Sequence, residues 1–194
     1  KPGEMDWNII IIGIIIGAII GGIAAIKVQM TQMPQLVAIF NGFGGGASAF
    51  IASSELLSKN DPSIIIMFSV IIGTLTFTGS FIAFGKLQGL VSSKPITYPG
   101  QQLINALIAF GLYGLSLFIV YNAGPDFDNY FYLIIIMSAL IGIALTIPIG
   151  GADMPVVISL LNSYSGIAAA GTGFVLANNA LIISGALVGA SGII

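Results

Sequence analysis

Residues 33–41 read MPQLVAIFN and residues 154–162 read MPVVISLLN, so one pattern occurs twice, 121 positions apart. Both copies open a long apolar stretch with proline, which suits the first turn of a helix because its missing N–H would be unpaired there anyway. Each copy then places an asparagine seven residues deeper, about 10 Å along a helix that rises about 1.5 Å per residue. A polar amide this deep in an apolar segment, present in both copies, is the strongest indication of function in the sequence.

The composition indicates a membrane protein. Of 194 residues, 57% are hydrophobic and 6% are charged, and the mean hydropathy is +1.08, whereas soluble domains have about 25% charged residues. A net charge of −2 without basic clusters argues against nucleic acid as a partner. The chain contains no Cys and no His, which excludes disulfides, thiolate metal sites and the usual proton-transfer side chain near neutral pH.

The apolar runs predict an all-α, polytopic transmembrane helical bundle of about seven spans, because each run approaches the ~20 residues that cross ~30 Å of hydrocarbon. The predicted spans are 7–26, 34–57, 63–85, 102–122, 130–148, 155–177 and 180–194. The chain begins at Lys1 and stops at Ile194 inside an apolar run. We therefore expect residues 1–194 to be one transmembrane domain of a longer polypeptide.

The two copies of the repeat open the second and the sixth span, so both helices are expected to run in the same direction. This predicts a parallel internal repeat, related by an axis along the membrane normal; the alternative is a chance likeness between two helices rich in Ala and Gly. Lys27, Lys86 and Lys94 fall on one side of the membrane, and Lys1 and Lys59 fall on the other. Because loops rich in lysine stay cytoplasmic, the first side is predicted to be the inner one.

Helical spacing places small and polar residues on one face of each copy. These faces comprise Pro155, Ser159, Asn162, Gly166, Ala169 and Gly173 in the sixth span, and Pro34, Ala38, Asn41, Gly45, Ser48 and Ala52 in the second. Small residues let membrane helices approach closely. An amide without a partner in hydrocarbon costs several kcal/mol. Each asparagine must therefore bind either another helix, which is a structural role, or water, which indicates a pathway.

Asp153 lies just before the sixth span, at the place of an N-cap. A carboxylate there accepts hydrogen bonds from orphan N–H groups and interacts favourably with the positive end of the helix. The alternative role is a gate or a proton-entry carboxylate. The first copy has Gln32 at this place, so the charge belongs to one copy only, which mildly favours the functional role.

The sequence contains no nucleotide-binding, catalytic or metal-ligand motif. No Lys, Arg, Asp, Glu or His lies near the middle of any predicted span, so a proton crossing there must be held by water or by a titratable group of a partner. Thr74, Thr76 and Thr78 of the third span could line such a path, although threonine also bonds back to its own helix.

Four segments together resemble one known family. They are GGADMPVVISLLNSYSG at residues 150–166, GALVGASG at 185–192, MTQMPQLVA at 30–38 and KLQG at 86–89. These segments are similar to the membrane domain of the β subunit of proton-translocating NAD(P) transhydrogenase, and they follow one another in the expected order.

The resemblance implies an enzyme that couples hydride transfer between NAD(H) and NADP(H) to proton passage across a bacterial or mitochondrial inner membrane. The hydride chemistry would occur in soluble domains outside this chain, one on an α subunit and one, NADP-binding, at the C-terminus of the β subunit. The α subunit would also supply membrane helices, and further N-terminal helices of the β subunit would be absent from these residues. Gly-rich faces on the first and seventh spans favour a dimer of αβ units. No cofactor or metal is expected in this chain itself.

The resemblance also implies roles for single residues. Asn41, Asn162, Ser159 and Asp153 would form the proton path, with Asp153 at the inner mouth facing the NADP-binding domain. The residues expected to form close-packed segments that couple the path to that domain are Gly166, Gly173, Gly185, Gly189, Ser191 and Gly192. Asn41 is a departure, because many relatives have a titratable His there. In some relatives the His lies on a helix of the α subunit, and we expect the same arrangement here.

Two other functions stay open from the residues alone. One is a secondary transporter for a small solute, with the parallel repeat forming its site and with flux that does not depend on nucleotide. The other is a structural membrane subunit, in which both asparagines only pair helices and can be replaced by alanine without loss of activity.

Overall fold

Helices form the whole regular structure in the computed structural model, which describes residues 7–59, 62–122 and 127–194. In these ranges there are seven α-helices and no strands. They are α1 (Trp7–Lys27), α2 (Met33–Lys59), α3 (Ile64–Leu87), α4 (Gln101–Tyr121), α5 (Phe127–Thr146), α6 (Met154–Val175) and α7 (Asn179–Ser191). The predicted all-α membrane bundle is confirmed, and each predicted span agrees with a helix to within three residues at either end. Lys1, which entered the comparison of lysines on the two sides, lies outside the described residues.

The helices differ in length. α1 to α6 are each long and apolar enough to cross a membrane, so the chain is a multi-pass membrane protein. α7 has 13 residues, which is about 20 Å at 1.5 Å per residue and shorter than the ~30 Å hydrocarbon core. The predicted seventh span is therefore a shorter helix.

Local sequence explains where two of the helices begin. Ser63 caps α3, because its Oγ accepts a hydrogen bond from the backbone N–H of Ile66 at 3.2 Å. Asn178 caps α7 in the same way, with Oδ1 accepting from the N–H of Leu181 at 3.1 Å. Side-chain oxygens at these places satisfy N–H groups that the helix itself leaves unpaired.

The repeat has a structural counterpart. A 3₁₀ turn, Met30–Gln32, leads directly into α2, and a second, Gly151–Asp153, leads directly into α6. Ala38 near the start of α2 shares a buried cluster with Met154 and Ile158 at the start of α6 and with Ala83 near the end of α3. α2 and α6 therefore run in parallel, and α3 packs against both in the opposite direction.

α3 is the centre of the bundle and packs against α2, α5 and α6. Glycines permit the closest approaches: a Cβ added to Gly45 of α2 would lie 2.9 Å from the carbonyl oxygen of Gly73 of α3. A Cβ on Gly142 of α5 would overlap Oγ1 of Thr78. Small residues thus bring three helices against α3 closely enough for polar side chains to bond across the contacts.

The remaining helices lie at the periphery. α4 packs on α5, and α7 packs on α6. α1 has no buried residue, and a Cβ on Gly13, Gly17 or Gly21 would meet nothing within 4 Å. The Gly-rich face of α1 is thus open in this chain.

Candidate functional site

Asn41 is the centre of a buried hydrogen-bonded group at the junction of α2, α3 and α6. The side chain is 7% exposed. Its Nδ2 donates to Oγ of Ser80 at 2.9 Å, and its Oδ1 accepts from Oγ of Ser165 at 2.8 Å. These three residues, which we call the Asn41 triad, satisfy the amide with one partner from each neighbouring helix, as its burial in a membrane requires.

Ser165 has two acceptors for one hydroxyl proton. Its Oγ lies 2.8 Å from Oδ1 of Asn41 and also 2.8 Å from the backbone carbonyl oxygen of Asn162, one turn earlier on α6. A serine hydroxyl has a single proton and rotates to suit its partners. Rotation toward the carbonyl of Asn162 would free Oδ1 of Asn41 to accept a proton from another donor, such as water.

Asn162 has different surroundings from Asn41. Its side chain is half-buried and makes no hydrogen bond within the described part of the chain. The face of α6 that carries it is turned to α7: Ser159 is exposed and its Oγ donates to the carbonyl oxygen of Gly192 at 3.0 Å. The small faces of α2 and α6 therefore do not meet each other as a common polar seam, because the backbone of α7 occupies the face of α6. Ser165 is the link between the two asparagines.

The predicted coupling residues lie mostly at the contact between α6 and α7. A Cβ on Gly166 would overlap the backbone nitrogen of Gly189, and one on Gly173 would lie 2.7 Å from the nitrogen of Ile182. A Cβ on Gly185 would lie 2.7 Å from the carbonyl oxygen of Gly166, and the carbonyl of Gly189 accepts from Oγ of Ser163. The two helices are therefore in direct backbone contact over most of α7.

Two of the predicted residues stand apart from these contacts. Ser191 is exposed, and its hydroxyl donates to the carbonyl oxygen of Val188 in its own helix at 3.1 Å. Asp153 is also exposed, and although it precedes α6 its carboxylate makes no capping hydrogen bond. Asp153 thus occupies the predicted N-cap position of α6 without the predicted side-chain hydrogen bond, and its side chain is exposed at the end of the bundle.

Of the three threonines considered for a path, Thr78 bonds to backbone. Its Oγ1 lies 3.2 Å from the carbonyl oxygen of Thr74 in its own helix and 2.9 Å from that of Ala139 in α5. Thr76 is fully buried, and its hydroxyl has no hydrogen-bond partner in the described residues. The back-bonding that the sequence suggested thus holds for Thr78 and not for Thr76.

Lys86, which entered the sequence analysis only through the orientation of the chain and the KLQG segment, is buried in the structure. It is 1% exposed, and its Nζ donates to the carbonyl oxygens of Ile147 at 2.6 Å, Ile149 at 2.9 Å and Lys94 at 3.3 Å. The carbonyls at the end of a helix carry partial negative charge, so the ammonium is stabilised where α5 ends. Lys86 thus joins the end of α3 to both neighbouring loops.

Among residues 7–59, 62–122 and 127–194 there is no group of three or more His, Cys, Asp and Glu side chains that could hold a metal ion. The chemistry available at the Asn41 triad is therefore hydrogen bonding by an amide and two hydroxyls.

Comparison with known proteins gives a match along almost the entire chain. A family model described as "NAD(P) transhydrogenase beta subunit" matches residues 2–194. Two curated relatives from Rhodospirillum rubrum, each named NAD(P) transhydrogenase subunit beta, are 48% identical to the chain over 206 aligned positions. The match covers 100% of this chain and 44% of each relative. The chain thus spans less than half the length of the curated relatives it matches.

Proposed function

Because this chain belongs to the NAD(P) transhydrogenase beta subunit family, we propose that it is the membrane domain that moves protons past Asn41 in step with hydride transfer. The hydride would pass between NAD(H) and NADP(H) in soluble domains outside these residues, one on an α subunit and one at the C-terminus of the β subunit. The complete enzyme would be a dimer of αβ units in a bacterial or mitochondrial inner membrane.

The observation that carries this proposal is the Asn41 triad. The buried amide is hydrogen-bonded to one hydroxyl from α3 and one from α6. Polar side chains inside a membrane bundle are costly to bury and mark functional sites. An amide cannot titrate, so it would orient a proton carrier rather than hold the proton. The carrier would be water or the titratable histidine expected on a helix of the α subunit.

Ser165 gives the triad two arrangements. When the Ser165 hydroxyl donates to Oδ1 of Asn41, the amide oxygen is hydrogen-bonded within the protein. When the hydroxyl donates to the carbonyl of Asn162 instead, the amide oxygen is free to accept a hydrogen bond from water. A switch between the two needs only rotation of one hydroxyl and a small displacement of α6. The proton step would therefore respond to the position of α6.

The contact between α6 and α7 would transmit nucleotide state to that position. The backbones approach closely at Gly166 and Gly185, so a displacement of α7 toward α6 would displace α6 as well. Ser163, two residues before Ser165, is bonded to Gly189 of α7. A domain that pulls on α7, or that binds near Asp153 at the start of α6, would thereby change the hydrogen bonds of Ser165.

The test is Ser165→Ala in the complete αβ enzyme reconstituted in vesicles, with proton uptake and NADPH-dependent reduction measured together. We expect proton-linked turnover to fall about tenfold, which corresponds to about 1.4 kcal/mol in the barrier. The matched control is Ser138→Ala, because Ser138 is fully buried and its hydroxyl bonds only to the carbonyl of Ile134 in its own helix. Normal coupled turnover with Ser165→Ala would refute the role of the triad.

A further inference from the structure

We propose that water molecules between α2, α3 and α6 reach Asn41 from one end of the bundle only, and that a proton in this conformation reaches Asn41 from that end. The inference rests on the proposed function and adds the direction of access. The Glu55 end of the bundle is defined here by the last turns of α2 and α6 with the first turn of α3. The Asp153 end is defined by the opposite ends of the same helices.

An apolar seal separates Asn41 from the Asp153 end. It consists of Ala38, Ala83, Met154 and Ile158, which form one buried cluster and are each at most 3% exposed. Ala38 lies three residues before Asn41 on α2, and so the seal begins about one helical turn from the amide. A buried water needs two to four polar partners, and these side chains offer none. Gln35, one turn before Ala38 on α2, also has a buried side-chain oxygen without a hydrogen-bond partner in the described residues. It lies beyond the seal, so a water molecule bound there is not continuous with Asn41.

A buried positive charge adds to this barrier. Lys86 lies three residues after Ala83, and its ammonium donates to the carbonyl oxygen of Ile149, whose side chain packs against the seal. No acidic group is paired with Lys86 in the described residues. A proton that approached from the Asp153 end would therefore meet a fixed cation in a region of low dielectric, where charges interact strongly.

On the other side of Asn41, toward the Glu55 end, buried hydroxyl groups lack hydrogen-bond partners. Thr76 and Ser69 precede Ser80 by four and eleven residues, which places all three hydroxyls on one face of α3. Thr76 and Ser69 are fully buried, and neither hydroxyl has a hydrogen-bond partner in the described residues. A buried hydroxyl left unpaired costs about 1–3 kcal/mol. Water is the ligand that removes this cost, and we assign it to these two hydroxyls.

These hydroxyls lead to a pocket at the Glu55 end. A Cβ on Gly171 of α6 would lie 2.5 Å from Oγ of Ser69 and 3.6 Å from Cγ2 of Ile65, so Ser69 and Ile65 lie side by side against α6. Ile65 in turn lines a pocket of about 240 Å³ together with Glu55 and Ser63. The pocket has room for several water molecules. The polar row therefore runs from the pocket past Ser69 and Thr76 to the triad.

The test uses the absence of cysteine from this chain. Ser69→Cys, Thr76→Cys and Ala83→Cys are made singly in the complete αβ enzyme, with any cysteines of its other parts replaced, and the nucleotide-free enzyme is sealed in vesicles. A charged, membrane-impermeant methanethiosulfonate is added to one side at a time. Only a thiolate reacts, and a thiol in apolar surroundings keeps its proton. The reagent therefore reports which thiols face a water-filled path that it can enter.

Control variants define the sides and the background. Lys59→Cys marks the Glu55 end and Lys94→Cys marks the Asp153 end, since both side chains are exposed. Ser138→Cys is the matched buried control, because Ser138 is as buried as Ser69 but its hydroxyl is satisfied by its own helix. The side on which Lys59→Cys reacts is thus the side of the Glu55 end, whichever way the enzyme is oriented in the vesicle membrane.

We expect Ser69→Cys and Thr76→Cys to react from the Glu55 side about tenfold faster than Ser138→Cys, in proportion to their thiolate fractions, and Ala83→Cys to react from neither side. Reaction of Ser69→Cys at the rate of Ser138→Cys, faster reaction from the Asp153 side, or reaction of Ala83→Cys would overturn the inference. Ser69→Cys, next to the pocket, decides the outcome if Thr76→Cys does not assemble. Labelling needs no turnover, so its failure is distinct from a failure of Ser165→Ala to alter proton movement.

Discussion

Replacing Lys86 with Met tests how two loops at the Asp153 end are attached, the one that contains Lys94 and the one that contains Ile147 and Ile149. The substitution keeps an unbranched side chain of similar length and removes the ammonium that donates to Ile147, Ile149 and Lys94. A hydrogen bond to a charged group contributes about 1.5–3 kcal/mol, so three of them would suggest a loss of about 5–9 kcal/mol. That sum is too large, because the folded state also bears a desolvation penalty of several kcal/mol for the buried ammonium.

The structure shows which of the three acceptors would stay unpaired. Lys94 is exposed, so its carbonyl turns to water. The carbonyl of Ile147 keeps a second hydrogen bond, from the N–H of Ile96 at 3.4 Å. Ile149 loses its partner, at a cost of about 1–3 kcal/mol. With the weakened attachment of both loops, we expect Lys86→Met to lower the free energy of unfolding by about 2–3 kcal/mol.

The measurement is thermal unfolding of the purified enzyme in detergent. A loss of 2–3 kcal/mol corresponds to a fall of about 4–12 °C in Tm, at about 2–4 °C per kcal/mol for a chain of this size. The control is Lys94→Met, because its side chain is exposed, and a surface substitution of this kind stays within about 0.5 kcal/mol. Equal Tm values for the two variants would refute the assignment of Lys86 as the residue that holds the loops.

Three further substitutions have definite expected outcomes. Gly166→Ala places a methyl group against the backbone of α7 and should cost about 2–3 kcal/mol in a denaturant titration. Gly44→Ala, where a Cβ meets nothing within 4 Å, should be neutral or stabilise by up to about 1 kcal/mol. Equal changes in stability for Gly166→Ala and Gly44→Ala would contradict the backbone contact between α6 and α7. Ser80→Ala leaves the triad amide without an acceptor and should cost about 1–2 kcal/mol, whereas Ser116→Ala, whose hydroxyl bonds only to its own helix, should cost less than half as much. Met154→Ser should let water through the seal and give a proton leak without nucleotide, seen as faster decay of a pH gradient; an unchanged decay would argue against the seal.

The number and limits of the helices were predictable from the sequence because hydrophobic length and prolines are local signals. The parallel repeat was predictable for the same reason, since Met-Pro recurs in register as the first two residues of α2 and α6. That Asn41 requires polar partners followed from its place in an apolar helix. The identity of those partners did not follow, although Ser69, Thr76 and Ser80 share one face of α3 and could have been noticed as a polar row.

Other features depend on which helices become neighbours, which a single sequence does not state. The small face that carries Asn162 matches that of Asn41 in composition, but α7 follows α6 closely in the chain and packs on that face. Lys86 ends an apolar run, where lysine ordinarily extends its charge to the surface. Its burial arises because two loops fold over the end of α3, and neither loop contains a pattern that predicts this.

The most direct measurement of the proposed proton path is the number of protons moved per hydride transferred by the complete enzyme with Asn41→Leu. Leucine resembles asparagine in shape and offers no hydrogen-bonding group, so the link between Ser80 and Ser165 is removed while the packing of the three helices is largely kept. We expect proton movement to fall about tenfold or more and the Ser138→Ala control to match the unaltered enzyme. An Asn41→Leu enzyme that moves protons at the normal rate and the normal ratio to hydride would contradict a path through the triad.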